Sequence, residues 1–289
     1  MAEVSSLAVD ALPSSLHPLS LGPTSVPLTR RWTHRAAALR ARQYALLSAL
    51  LAVWEFAPRL GLVNAVFLPP LSAVLEAGAV LIVNGQLFVH LATSFVRSLM
   101  GFSLAVAIAV PAGLLIGWSR PIADVVSPVV ELLRNTAALA LLPAFVLVLG
   151  IGEASKIALI VYACSWPILL NTISGVREID PLLLKSASVL GITGLRLFRT
   201  VVLPAALPAI VVGVRLAGAV SVLVLVAAEM IGAKAGLGYL VIYSQYNFQI
   251  PQMYFGILSI TALGVAFNGA LVAFERYVVI WKEPSGERK

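Results

Sequence analysis

From residue 42 onward, long apolar runs alternate with short polar stretches that carry glycine, proline or charge. Six runs are candidate membrane-spanning helices, at 42–58, 97–118, 136–152, 156–176, 205–230 and 254–280, since a crossing requires about 20 predominantly apolar residues. The third is the weakest, because Arg134 and Asn135 shorten it and Pro143 interrupts it. Smaller elements are expected between the spans. Phe67, Leu68, Pro69 and Pro70 open a loop, 71–83 forms a short amphipathic helix, and His90 to Arg97 makes an interfacial elbow into the second span. Ser119, Arg120 and Pro121 form a turn, and Gly150 to Lys156 a tighter one with its charges in water. The second span carries Gly113 and Gly117 four apart on one helical face, a spacing that permits close helix contact and favours packing within the chain over a dimer motif. The pattern predicts an all-α polytopic transmembrane bundle.

Composition supports the same class. The 289 residues are 60% hydrophobic and 11% charged, against about 25% charged in soluble domains. A soluble domain of this length could not hide that much apolar surface. The formal charge of +7 raises nucleic acid as a partner, so the distribution of cations decides. With a cytoplasmic N-terminus and six spans, fourteen Lys and Arg fall on inner segments and four (Arg59, Arg97, Lys156, Lys234) on outer ones. That asymmetry is the positive-inside signature of a membrane protein, and it sets nucleic acid aside in favour of lipid. Residues 1–41 are then a flexible cytoplasmic tail, 42–282 the transmembrane domain, and 283–289 a cytoplasmic C-terminal tail. Residues 1–29 lack the basic start and unbroken apolar centre of a secretory signal. Cys164 is the single cysteine, so no intrachain disulfide forms, and His17, His34 and His90 stand at no metal-ligand spacing. Neither a metal site nor a catalytic site is expected.

Two regions carry candidate chemistry. Between the fourth and fifth spans, 177–204 places a small-residue helix from Pro181 to Leu190, a corner at Gly191 and a basic amphipathic helix from Leu195 to Val202. Lys185, Ser186 and Ala187 are presented on the first helix, Arg196 and Arg199 on the wet side of the second, with Leu203 and Pro204 closing the loop. Gly191 tolerates a positive φ that other residues resist, and Pro204 suits a first helical turn. The pattern fits a docking loop on the cytoplasmic side. The second region is the fifth span, which holds Arg215 and Glu229. Fourteen residues separate them, about 21 Å along a helix, so they cannot pair with each other. Two heptads drift by only about 40°, which puts both on roughly one face. That face either lines a pathway or gate, or each charge is satisfied by neighbouring helices. Glu229 suits securing an outer gate through backbone or hydroxyl groups better than it suits binding an anion. Gly232, Gly236, Gly238, Tyr239, Tyr243 and Tyr246 follow, as a re-entrant gate or an exposed outer loop. Glu55 with Arg59, and Glu131 with Arg134, are spaced to pair structurally. No Gly-x-x-x-x-Gly-Lys-Ser/Thr run occurs, so the chain has no P-loop of its own.

The loop resembles the signature of ABC-importer permeases: Glu-Ala-Ala, three residues, Gly, nine residues, an aliphatic residue, any residue, Leu-Pro. Ala187, Gly191, Val201, Leu203 and Pro204 fall in register, while Lys185 and Ser186 stand where the family usually has Glu and Ala. Leu132 to Asn135, Leu141 to Pro143, Gly150 to Gly152, Pro167 to Asn171, Leu203 to Pro208, Gly213 to Arg215, Val226 to Ile231 and Gly236 to Tyr239 are similar to the sulfonate/nitrate/taurine subgroup. The resemblance covers roughly 50–285. It implies a type I permease fold, a dimer of identical chains in the bacterial inner membrane, and an ABC ATPase subunit docked at Lys185 to Gly191. It also implies an extracytoplasmic substrate-binding protein, ATP and magnesium held by the ATPase, and a small anionic nutrient as cargo. An ion-coupled secondary transporter is the rival class, and would need an internal repeat with broken midplane helices.

Overall fold

The computed structural model describes residues 28–278, with side chains from residue 42. All the regular elements among them are helical: α1 (Leu28–Arg59), α2 (Leu71–Val83), α3 (Gln86–Trp118), α4 (Arg120–Arg134), a 3-10 turn (Ala138–Leu141), α5 (Leu142–Leu149) and α6 (Glu153–Arg177). There follow α7 (Pro181–Val189), α8 (Gly194–Leu197), a π-helical stretch (Phe198–Val202), α9 (Leu203–Met230), α10 (Leu237–Tyr246) and α11 (Ile250–Val278). Two units divide the chain, one ending at Val53 and one beginning at Trp54. In the first, α1 is helical from Leu28, inside the segment expected to be a flexible tail, and every side chain from Arg42 to Val53 is exposed. The remainder of that tail, the C-terminal tail and the end of the sixth predicted span lie outside the described residues.

Among the described residues, four helices are long and apolar enough to cross a membrane: α3, α6, the continuous run Gly194–Met230, and α11. The first predicted span, 42–58, is helical but does not join them. Arg42 and Glu55 confine its uncharged run to 43–54, well short of a crossing's roughly 20 residues. The third predicted span, 136–152, holds only the 3-10 turn and α5, and its segment Ala138–Leu149 meets the preceding α4, which lies outside that span, at 86°. The interruption falls at Asn135 and Thr136, with Pro143 in the first turn of α5, where its missing N–H costs nothing.

Helix directions follow from the glycine contacts. A Cβ on Gly101 would stand 2.7 Å from Ile160 Cβ, one on Gly113 2.7 Å from Thr172 Cβ, and one on Gly117 2.8 Å from Val176 Cβ. The offset is 59 residues each time, so α3 and α6 run parallel and in register. Gly113 and Gly117 thus serve packing within the chain. Parallel neighbours require the intervening chain to cross back, and the bent pair α4–α5 is what lies between them. α9 returns antiparallel to α6, with Gly175 against Ala206 and Ala209, Gly213 against Asn171, and Cys164 Sγ donating to the Ala217 carbonyl at 3.4 Å. α11 runs antiparallel to α9, Gly218 meeting Leu271 and Phe267. The core lies among α3, α6 and α9, where Leu159, Ile160, Ile168 and Leu225 are fully buried.

One end of the bundle therefore carries the Ser119 turn, loop 177–204 and the end of α11. The opposite end carries the start of α3, the Gly150 turn, and the turns on either side of α10. At that opposite end the Trp54 indole donates to the Pro69 carbonyl at 3.1 Å, and its ring lies 5.9 Å from Tyr254. The predicted elbow from His90 to Arg97 is instead part of α3, which starts after Gly85 at φ 72° and runs unbroken past it. No residue between Gln86 and Arg97 is a helix breaker, so nothing stops the helix earlier.

Candidate functional site

Loop 177–204 folds as two short helices around a tight corner. The Asp180 carboxylate accepts from Leu182 N at 2.8 Å and caps α7, whose first residue is Pro181. At the other end Ile192 N donates to Ala187 O and Gly191 N to Ser188 O, each at 3.0 Å. That pair of bonds closes a Schellman motif around a left-handed residue, and Gly191 fills the role with φ 73°. Lys185, Ser186, Gly191, Arg196, Arg199 and Pro204 are all exposed. Ala187 departs from expectation, because it is only 6% exposed. Leu203 is half-buried against Val202, Ala206 and Ile210. The second short helix is also not separate. α8 passes through the π-helical stretch into α9, a widened ladder just before Pro204, whose ring removes a backbone donor. What the loop shows to its surroundings is apolar as well as basic: Leu182, Leu183, Val189, Leu190 and Leu195 are all more than half exposed.

The opposite end contains a buried charge cluster. Glu229 is completely enclosed, and its carboxylate accepts from Ser94 Oγ at 2.8 Å, Arg97 Nη1 at 2.9 Å and Gly238 N at 2.9 Å. Arg97, 4% exposed, also donates to the Ala235 carbonyl at 2.6 Å and forks onto both oxygens of Glu153. A bidentate guanidinium–carboxylate contact fixes both planes. Lys156 lies beside them, nearly buried, donating to the Gly152 carbonyl at 2.9 Å. Arg97, Lys156 and Glu229 are thus buried together, and the exposed Glu153 adds a second carboxylate at the rim, balancing two cations with two anions. Lys156 was expected in water with the Gly150 turn; only Glu153 of that turn's two charges is exposed.

The same cluster builds the start of α10. A helix begins with N–H groups that have no partner in their own helix. Here Gly236 N donates to His90 Nδ1 at 3.1 Å, Leu237 N to Ser94 Oγ at 2.8 Å and Gly238 N to Glu229. Side chains from α3 and α9 therefore cap α10 from outside. Gly236, at φ 125°, lies so close to the Glu229 carboxylate that any Cβ would collide with it. The glycine- and tyrosine-rich segment is thus a turn and a short helix tied to the bundle, with Tyr239 half-buried and Tyr243 exposed.

Glu229 and Arg215 do not share one lining. Glu229 is enclosed, whereas Arg215 Nη1 bonds Glu275 Oε2 of α11 at 3.1 Å with 45% of its side chain exposed. Each charge has its own partner. The pairs Glu55–Arg59 and Glu131–Arg134 form at 2.5 and 2.6 Å. Sequence reasoning missed His90, Ser94, Arg97 and Glu153 as companions of Glu229. A signal was present: His90, Ser94 and Arg97 recur at i, i+4 and i+7, one face of a helix.

A helical bundle with no P-loop, an exposed apolar-basic loop at one end and a largely buried charge cluster at the other fits a membrane subunit that binds no nucleotide through a P-loop of its own. The chain belongs to the family described as binding-protein-dependent transport system inner membrane component, whose match spans residues 109–279. It is 34% identical over 240 residues to the taurine transport system permease protein of Escherichia coli, covering 81% of this chain and 87% of that one. It is 35% identical over 243 residues to an E. coli protein provisionally named an aliphatic sulfonates transport permease, covering 84% and 92%. Its fold is similar to a chain of the inward-facing MetNI methionine ABC transporter, with TM-score 0.54 and 22% identity over 68% of this chain and 95% of that one. The protein is a multi-pass inner-membrane permease subunit of an ABC importer, and ATP hydrolysis belongs to a separate subunit.

Proposed function

We propose that this permease imports a small organic anion of the sulfonate class, as a dimer of identical chains embedded in bacterial membrane lipid with its C-terminus cytoplasmic. The observation that carries the mechanism is the exposed loop 177–204, rigidly capped yet presenting leucines to its surroundings. Contiguous exposed apolar surface marks an interaction site, and the loop lies on the end of the bundle that the cation distribution assigns to the cytoplasm. Lys185, Ser186, Gly191, Arg196, Arg199 and Pro204 form the contact surface for the ATPase, with Ala187 and Leu203 supporting it from beneath. ATP and its magnesium belong to that ATPase. Closure of the ATPase pair moves the docked loops and shifts the permease between inward- and outward-facing packings, each favoured by the ligand that binds it better. The sulfonate assignment is supported by the similarity to the taurine and aliphatic sulfonate permeases.

The test uses the chain with its ATPase and binding protein in lipid nanodiscs. Gly191→Asp introduces a charged side chain into open space at the corner, where φ is 73° and no neighbour lies within 4 Å. Loss of the ATPase stimulation caused by loaded binding protein is the expected result. Unchanged copurification and stimulation would remove the docking assignment.

Arg215 provides a second check. It stands twelve residues into α9, about 18 Å from its start, and a charge at that depth not enclosed by its own chain faces water or a partner. Together with Glu275 it forms a polar step on the transport path. Arg215→Leu should slow uptake into proteoliposomes by about tenfold, as expected for loss of one charged hydrogen bond, while ATPase copurification persists. Wild-type uptake would take Arg215 off the path.

A further inference from the structure

At the end of the bundle opposite the docking loop, α2, α3, α10 and α11 enclose a half-open cavity of about 530 Å³. Its volume is typical of small-molecule sites, which run from about 300 to 1,000 Å³. The wall is polar: Asn84, His90, Tyr239, Tyr243, Gln249 and Gln252 contribute to it, and neither Lys, Arg, Asp nor Glu does. Among the described residues, the amides of Asn84, Gln249 and Gln252 and the hydroxyls of Tyr239 and Tyr243 bond no other protein group, so all five remain available to a ligand. His90 is different, because its Nδ1 already accepts from Gly236 N at 3.1 Å. An accepting Nδ1 places the proton of the neutral ring on Nε2, adding one more donor. Tyr239 and Tyr243 stack at 5.5 Å, and Tyr239 lies 5.9 Å from His90, which holds the three rings together as one side of the cavity.

We propose that this cavity is a transient binding site for the transported organic anion, the sulfonate oxygens taking hydrogen bonds from neutral amide, phenol and imidazole donors and the short carbon chain lying on the tyrosine pair. Neutral donors suit the task. A fixed lysine or arginine would hold the anion strongly, whereas uncharged donors let it enter and leave, which passage requires. The site is tied to the protein's conformation, because His90 and Tyr239 flank the Gly236 turn that the Arg97–Glu229 cluster anchors. A change in that cluster alters the wall. This assignment rests on the sulfonate reading above, and it adds a place where the permease itself meets its cargo.

Saturation-transfer NMR on the permease–ATPase complex in nanodiscs, with millimolar taurine or ethanesulfonate and no binding protein, tests it. Uptake of the same two compounds into proteoliposomes containing binding protein is measured in parallel. Wild type should show transfer to both compounds. The double variant Gln252→Leu/Tyr243→Phe, which removes two donors from exposed and half-buried positions, should bind about tenfold more weakly, the usual effect of losing two neutral hydrogen bonds. Signal of equal strength in the double variant would overturn the site, because the anion then binds elsewhere. Uptake without any transfer signal in wild type would also overturn it while leaving the sulfonate reading intact. Absence of both uptake and transfer would overturn the sulfonate reading and this site with it. Loss of binding-protein stimulation in the double variant with taurine signal unchanged would assign the cavity to the binding protein instead.

Discussion

Replacing Arg97 with Met should destabilise the permease by about 3–5 kcal/mol, the range for breaking a buried ion pair from one side. The variant keeps the shape of the side chain but leaves Glu229 fully enclosed with only Ser94 and Gly238 N as partners, and it strips the Ala235 carbonyl of its donor. A large drop in the thermal unfolding midpoint of the purified protein is the expected result. The double variant Arg97→Met/Glu229→Gln should recover much of the loss. A glutamine keeps a carbonyl to accept from Gly238 N and carries no charge to be balanced. If the double variant were no more stable than Arg97→Met alone, the unbalanced carboxylate would not be the cause.

Gly113→Val should be the next most damaging change, at about 1–3 kcal/mol or somewhat more, as for overpacking a well-filled core. Its Cβ would lie 2.7 Å from Thr172 Cβ and 3.1 Å from the Leu169 carbonyl, so α3 and α6 would have to separate. Gly101 and Gly117 meet α6 in the same way, and a shift at Gly113 would disturb those contacts too. Gly269→Val is the matched control, since nothing lies within 4 Å of that position. The midpoint should fall for Gly113→Val and stay constant for Gly269→Val. Equal behaviour of the two would show that close approach of α3 and α6 is not what the glycine provides.

The long apolar runs made α3, α6, α9 and α11 legible from sequence, because in lipid a helix must satisfy its own backbone and a hydropathy run is nearly sufficient to reveal it. Gly191 and Pro204 made the loop legible, since a left-handed corner and a missing N–H are properties of single residues. The misreadings were of another kind. The third span was read at 136–152 without α4, because hydropathy carries no information about direction and gives no sign of the 86° bend between α4 and Ala138–Leu149. Arg97 was placed in an outer segment, at the end of an elbow leading into the second span, and was given no partner. Its burial depends on Glu229 and Glu153, which lie 132 and 56 residues away in sequence. Ala187 was given to the docking surface from its place in a motif, but burial depends on which face of α7 meets the π-helical stretch Phe198–Val202, and spacing alone does not reveal that. Tertiary pairing of distant charges was the part that periodicity could not supply.

The length and close packing of α6 have a mechanical consequence. At 25 residues, with Pro167 in its interior, it spans about 37 Å, with loop 177–204 leaving one tip at Arg177 and Glu153 on the other. Close contacts with α3 along one side and α9 along another leave it little freedom to bend, so a force on the loop acts on it as on a lever. A tilt of about 5° displaces the far tip of such a helix by about 3 Å. That is the whole length of the hydrogen bonds by which Arg97 holds Glu153 and Glu229. A tilt of that size is therefore enough to make or break the Arg97 contacts at the far end of the bundle, with no element needing to unfold in between.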